Sequence, residues 1–108
     1  MIDWTKVAEL RDEVGAQGFD EVIDLFLDEV EEALVLLGQV GRRPGPDLHF
    51  IQGCASNLGF RDLARLCREQ EVKALAGGDC DAAAVDACYR QSKSAFLQGP
   101  PSAGVAAE

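Results

Sequence analysis

Apolar side chains recur along this chain at steps of three and four residues, and no segment shows a convincing two-residue alternation. That spacing is typical of amphipathic α-helices rather than half-buried strands. It predicts a short first helix and a longer second helix that ends near Leu37, followed by three more helices. The predicted caps or first residues of the five helices are Asp3, Asp20, Asp47, Asp62, and either Asp79 or Asp81.

Short links between the four longer helices predict an all-α protein, an antiparallel up-down-up-down four-helix bundle whose short N-terminal helix covers one end. The link 38–46 is rich in glycine and proline. We predict one domain over residues 1–99, because 108 residues suffice for a single core. Residues 100–108 are small and polar, which predicts a flexible tail.

The second predicted helix carries more apolar residues than one stripe requires. The additional positions are Leu25, Leu27, Val35 and Leu36. Deep burial between several neighbouring helices is the favoured interpretation for most of them. The alternative is an exposed apolar patch that docks a partner.

Composition and cysteine spacing narrow the class of protein. Apolar residues make up 47% of the chain, but no run approaches the length of a membrane span, and no signal peptide is visible, so we expect a cytoplasmic protein. The four cysteines include no Cys-x-x-Cys pair. Three of them fall on apolar stripes, which favours reduced, mostly buried thiols and no metal site.

The net charge of −9 is unevenly distributed along the chain. Residues 1–40 contain 11 acidic and 2 basic side chains, whereas residues 41–75 contain 6 basic and 4 acidic ones. Such an acidic chain is a poor nucleic-acid binder, because that affinity depends on neutralising phosphates. The only net-positive segment surrounds the single histidine, His49, where it suits an anionic group or an acidic partner.

His49 is predicted to lie opposite the apolar stripe of its helix, facing water or a partner. One turn later stands Gly53, although glycine inside a helix costs about 1 kcal/mol relative to alanine. A missing side chain beside an exposed imidazole suggests that access is important, as for a nucleophile that something large must reach. The residues that share the His49 face in this helical projection are Gln52, Gly53, Ser56 and Phe60.

These residues resemble the phosphoacceptor signature of histidine phosphotransfer (HPt) domains of bacterial two-component phosphorelays, His-x-Leu-Lys-Gly-small-small-x-x-Leu-Gly. Here Ile51 replaces the leucine and Gln52 the lysine. The positions that match are His49, Gly53, Cys54, Ala55, Leu58 and Gly59. A second stretch, Leu63, Leu66, Cys67 and Glu71, resembles the family's Leu-x-x-Leu-Cys-x-x-Leu-Glu, and Phe26-Leu27 falls where the family often has Phe-Leu.

The resemblance implies a phosphoryl carrier rather than an enzyme. His49 would accept a phosphoryl group from a phospho-aspartyl receiver domain and pass it to another receiver, since neutral imidazole is a competent nucleophile near neutral pH. The implied partners are response-regulator receiver domains and a hybrid sensor kinase. The chain would need no cofactor of its own, because the receiver supplies Mg²⁺, and it is expected to be monomeric.

The expected surroundings of His49 fall into two groups of residues. The phosphoryl environment is predicted to comprise Gln52, Gly53, Ser56, Arg65 and Arg68. HPt domains engage receivers through their first two helices and the histidine helix, which gives Trp4, Leu25, Phe50 and Phe60 as candidate docking residues.

Two other functions remain open. A degenerate HPt-like bundle could bind a receiver or kinase without being phosphorylated, which Gln52 in place of lysine would favour. An unrelated helical adaptor or metal-binding bundle could carry the motif by chance. The carrier hypothesis requires that the His49 ring stand clear of the packed interior and not be held by a neighbouring carboxylate.

Overall fold

The computed structural model describes residues 1–100, which form five α-helices and no β-strand. The prediction of an all-α protein is confirmed for this part of the chain. None of the five helices combines the length and apolar character that crossing a membrane requires. Residues 101–108, most of the predicted tail, lie outside the described residues. The helices are α1 (Trp4–Val14), α2 (Ala16–Leu37), α3 (Pro44–Leu58), α4 (Arg61–Leu75) and α5 (Ala82–Gln98).

The first two helices are separated by one residue, Gly15. Asp3 caps α1 as predicted, because its carboxylate accepts a hydrogen bond from the backbone N–H of Lys6 at 3.2 Å. The predicted start of α2 at Asp20 is about one turn too late. Its first buried side chain is Phe19, so the apolar stripe begins before the acidic residues that suggested the boundary.

Burial around α2 is less complete than its composition predicted. Leu27 is buried and Leu36 partly buried, but Leu25 and Val35 are 59% and 69% exposed. Deep burial, which was expected for most of the four additional apolar positions, therefore holds only for Leu27. The buried residues of α2 are Phe19, Ile23, Leu27, Val30, Ala33 and Leu37.

The start of α3 also differs from the prediction. The helix begins at Pro44, whose fixed φ suits a first helical position, and Asp47 lies inside it rather than capping it. Asp47 is buried, and its two carboxylate oxygens accept hydrogen bonds from Arg42 at 2.6 and 3.0 Å. This bidentate pair fixes the connection from α2 onto the first turn of α3.

A two-residue turn, Gly59-Phe60, joins α3 to α4. Gly59 has φ +78°, and a Cβ there would lie 2.6 Å from the carbonyl oxygen of Asp3. The approach is that close because the N-terminal segment pairs with the turn. The N–H of Asp3 donates a hydrogen bond to the carbonyl oxygen of Gly59 at 2.7 Å, and the N–H of Arg61 donates one to the carbonyl oxygen of Met1 at 3.1 Å. Glycine is therefore required here both for the backbone conformation and for space.

The helices pack around one core. α2 contacts α1, α3 and α5, and α4 contacts α3 and α5, so α2 to α5 form a closed ring of contacts. α1 contacts α2 and α3. Asp81 caps α5 by accepting a hydrogen bond from the N–H of Ala84 at 3.0 Å. The fully buried large side chains are Phe60, Leu48, Ile51, Leu58, Leu63, Val30 and Val85.

Candidate functional site

His49 lies on the surface of α3, with 74% of its side chain exposed. The residues of α3 that face the core are Leu48, Ile51, Cys54, Ala55 and Leu58. Because these positions recur at helical spacing, they turn the imidazole towards solvent, and the prediction that the ring stands clear of the interior is confirmed.

One carboxylate nevertheless contacts the ring. Nδ1 of His49 lies 3.3 Å from Oε2 of Glu71 on α4, a side chain that is mostly buried. The expectation that no neighbouring carboxylate would hold the imidazole is therefore wrong for one nitrogen. The carboxylate approaches Nδ1 and not Nε2, so Nε2 is the nitrogen that stays open to a partner. A nucleophilic nitrogen thus remains on an exposed ring.

The α3–α4 hairpin explains why these two residues meet. His49 precedes Gly59 by as many residues as Glu71 follows Arg61, so both lie at the same height above the turn. Glu71 matches the second motif of the sequence but was not predicted to be a site residue. Its equal separation from the predicted turn was the signal that could have found it.

A surface groove of about 670 Å³ opens beside His49 at the N-terminal end of α3. Among the described residues, Arg43 is the only arginine or lysine that lines it, and neither Arg43 nor Leu75 was predicted to belong to the site. The lining residues are Arg43, Pro44, Gly45, Pro46, His49, Glu71, Ala74 and Leu75.

On the other side of His49, α3 presents Gln52, Gly53 and Ser56. The side-chain amide of Gln52 donates a hydrogen bond at 3.3 Å to the hydroxyl of Ser56, which lies one turn further along the helix. Gly53 is exposed, and a Cβ at this position would meet nothing within 4 Å. The surface one turn after His49 is therefore open, as the sequence suggested.

Arg65 and Arg68 line a different groove, of about 380 Å³, between α1 and the α3–α4 turn. Ser56 belongs to that groove, but His49 does not. Arg65 also lies 3.5 Å from the carboxylate of Asp62. The structure thus groups these two arginines with Ser56 and with Lys6 and Arg61, away from the groove that contains His49.

The four predicted docking residues differ in accessibility. Leu25 and Phe50 are 59% and 45% exposed, so both present apolar surface to solvent. Trp4 is half-buried and stacks on Phe96, with ring centroids 5.8 Å apart. Phe60 is fully buried, and the prediction that it docks a partner is wrong. Because α3 ends before Gly59, the helical spacing that linked Phe60 to His49 does not extend that far.

The cysteines lie apart from this surface chemistry. All four thiols are free, and Cys54 and Cys67 are buried. Burial raises the pKa of the Cys67 thiol to about 12, which makes it a poor nucleophile and a poor metal ligand near neutral pH. Within residues 1–100, no three histidine, cysteine or acidic side chains converge as metal ligands would.

No family model, no curated protein and no solved structure matches this chain.

Proposed function

We propose that this chain is a histidine phosphotransfer protein of a phosphorelay. His49 accepts a phosphoryl group from a phospho-aspartyl receiver domain and passes it to the aspartate of another receiver. The observation that carries the proposal is the imidazole of His49, 74% exposed on α3. The Glu71 contact involves only Nδ1 and does not bury the ring, so it leaves Nε2 available for attack.

The chemistry needs only one nucleophile from this chain. Nε2 attacks the phosphorus of the partner's aspartyl phosphate, so a P–N bond forms as the P–O bond breaks, and the aspartyl carboxylate leaves with the electron pair. The ring gains positive charge in this step. The Glu71 carboxylate, 3.3 Å from Nδ1, stabilises that charge and keeps the ring oriented. The receiver supplies the Mg²⁺, and the reverse reaction delivers the phosphoryl group to the next receiver.

The packing of the helices supports this function. The closed ring of contacts among α2, α3, α4 and α5 is what an antiparallel up-down-up-down bundle would give. We include that topology in the proposal, with α1 covering the end at which α3 turns into α4. A rigid bundle holds the histidine on a helix face, which suits a carrier that several partners must reach in turn.

A phosphotransfer assay with purified proteins tests the proposal. Candidate receiver domains are labelled on aspartate and mixed with the wild-type chain and with His49→Gln, which keeps a polar side chain of similar length but lacks the nucleophile. We expect acid-labile label on the wild type and none on the variant. Label on both proteins, or on neither with every receiver tested, would contradict the proposal.

A second function is supported by a specific contact. At position 52 the resemblance leads one to expect a lysine, whereas Gln52 carries no charge and bonds to Ser56. A receiver-binding adaptor that is not phosphorylated would not need that positive charge. In this case a receiver or a hybrid sensor kinase would bind wild type and His49→Gln equally, and neither protein would acquire label.

Both functions imply the same cellular setting. We propose a monomer in the cytoplasm, where receiver domains and the cytoplasmic part of a hybrid sensor kinase are accessible. Light scattering of the purified chain tests the first point, because a stable dimer would double the measured mass.

A further inference from the structure

The groove beside His49 contains one cationic side chain that the motif does not include. Arg43 is the residue that precedes the first turn of α3, and its side chain is exposed. It makes no side-chain capping bond to the helix, and among residues 1–100 no carboxylate pairs with it. Its neighbour Arg42, by contrast, is held by Asp47.

A phosphoryl group on Nε2 would bring two negative charges to this groove. The titratable groups among the described residues that line the groove are Arg43, His49 and Glu71, and the Glu71 carboxylate lies 3.3 Å from Nδ1. Glu71 would repel the phosphoryl group rather than bind it. Among the described residues that line the groove, only Arg43 and the backbone can provide a counter-charge.

The backbone at the start of α3 has few donors to offer. Two of the first three residues of the helix are Pro44 and Pro46, which have no N–H group. A helix N-terminus normally binds anions through several such groups, so this one is depleted. The other predicted residues are engaged or lie elsewhere, because Gln52 bonds to Ser56, and Arg65 and Arg68 line a separate groove that does not include His49.

From this geometry we propose that Arg43 binds the phosphoryl group carried by His49. The inference rests on the proposed phosphotransfer function and adds to it the residue that neutralises the phosphoryl charge. A guanidinium donates parallel hydrogen bonds to phosphate oxygens, so it suits this role better than a point charge.

Neutralising the charge of the phosphoryl group should change the lifetime of phospho-His49 in a direction that can be measured. Hydrolysis of phosphohistidine passes through a loose transition state, in which the electron pair of the P–N bond leaves with the imidazole and the phosphoryl group loses negative charge. A cation that binds the dianion therefore stabilises the ground state more than the transition state and lengthens the lifetime. One charge a few ångströms away at a protein surface gives an effect of about three- to tenfold.

The test uses phosphoramidate, a small donor that transfers its phosphoryl group to histidine and releases ammonia without a partner protein. The full chain is compared as wild type, Arg43→Gln, Arg43→Lys and Arg65→Gln. Arg65→Gln is the matched control, because it removes the same charge from the groove that lacks His49. The readouts are the decay rate of phospho-His49 and the pH midpoint of phosphoryl ionisation by ³¹P NMR.

We expect Arg43→Gln to shorten the lifetime about three- to tenfold and to raise the pH midpoint by about half to one unit, with partial recovery in Arg43→Lys. Arg65→Gln should match the wild type in both measurements. If the wild type is labelled but Arg43→Gln and Arg65→Gln have equal lifetimes and equal pH midpoints, the role of Arg43 is overturned while the carrier function stands. A wild-type chain that acquires no label on His49 would overturn the carrier function and this inference together.

Discussion

Replacing Gly53 by alanine should stabilise the fold, although this glycine lies beside the candidate site. Gly53 lies inside α3, its φ is not positive, and an added Cβ would meet nothing within 4 Å. Neither strain nor a clash opposes the helix propensity of alanine, so the free energy of unfolding should rise by about 0.5–1 kcal/mol. In a domain of this size, that gain would raise the melting temperature by about 2–8 °C.

A larger side chain at the same position should block partners while sparing small donors. Gly53→Leu would place a bulky group one turn from the imidazole, on the surface that a receiver must approach. Forcing such a group into a packed interface costs about 1–3 kcal/mol, which corresponds to about a fivefold to hundredfold slower transfer from a receiver. Labelling by phosphoramidate should stay unchanged, because that donor needs no protein interface.

Urea unfolding measures the stability effect, and quenched-flow transfer from a labelled receiver measures the access effect. Gly18→Ala is the matched control for stability, because Gly18 lies in α2 and an added Cβ would again meet nothing within 4 Å. A destabilised Gly53→Ala would show that the space beside His49 is occupied. A Gly53→Leu variant that accepts label from a receiver at the wild-type rate would refute the idea that this glycine provides access.

Other contacts predict effects on stability and titration. Gly59→Ala should lower the free energy of unfolding by at least about 2 kcal/mol, because φ is positive and the Cβ would lie 2.6 Å from a backbone oxygen. An unchanged urea midpoint would contradict this turn geometry. Arg42→Gln should lower the urea midpoint, since buried Asp47 loses both charged hydrogen bonds. Arg90→Gln breaks an exposed ion pair and should lower the midpoint much less, and equal losses would argue against burial of Asp47. Burial raises the pKa of the hydroxyl of Tyr89, the single tyrosine. The unfolded chain therefore loses this proton at lower pH than the native protein does, so the contribution of Tyr89 to stability is complete below the unfolded pKa of about 10 and is lost progressively as the pH rises above it. Tyrosinate absorbance should therefore appear only when the protein unfolds. Tyr89→Phe should remove the part of the alkaline loss of stability that is due to this hydroxyl. Titration of Tyr89 near its ordinary pKa in the native protein would disprove its burial.

The existence of the helices and the orientation of His49 could be predicted from the sequence, because both depend on local periodicity. A side chain opposite Ile51 and Leu58 on one helix must face away from whatever that helix packs against. The same reasoning located the open position at Gly53. It failed at Phe60, where the glycine before it ends the helix and its periodicity.

Helix boundaries were predicted less well, because acidic residues near a helix start are ambiguous. Asp3 and Asp81 accept hydrogen bonds from the backbone N–H groups of the first turn and are true caps. Asp47 has the same side chain and a similar context, but Arg42 binds its carboxylate and prolines begin the helix upstream. The upstream prolines and the position of the guanidinium together distinguish the two roles.

The sequence by itself determined an all-α protein with a single imidazole on a solvent-facing helix surface, since those properties follow from the order of residues along each helix. Tertiary structure alone decided which side chains surround that imidazole. The length of the α3–α4 turn sets the height at which Glu71 meets His49, and the packing of the two helices puts Arg43 in the His49 groove and Arg65 in another. The contact of His49 with Glu71 and its separation from Arg65 link two helices, so they depend on the register between those helices, which periodicity within one helix does not contain.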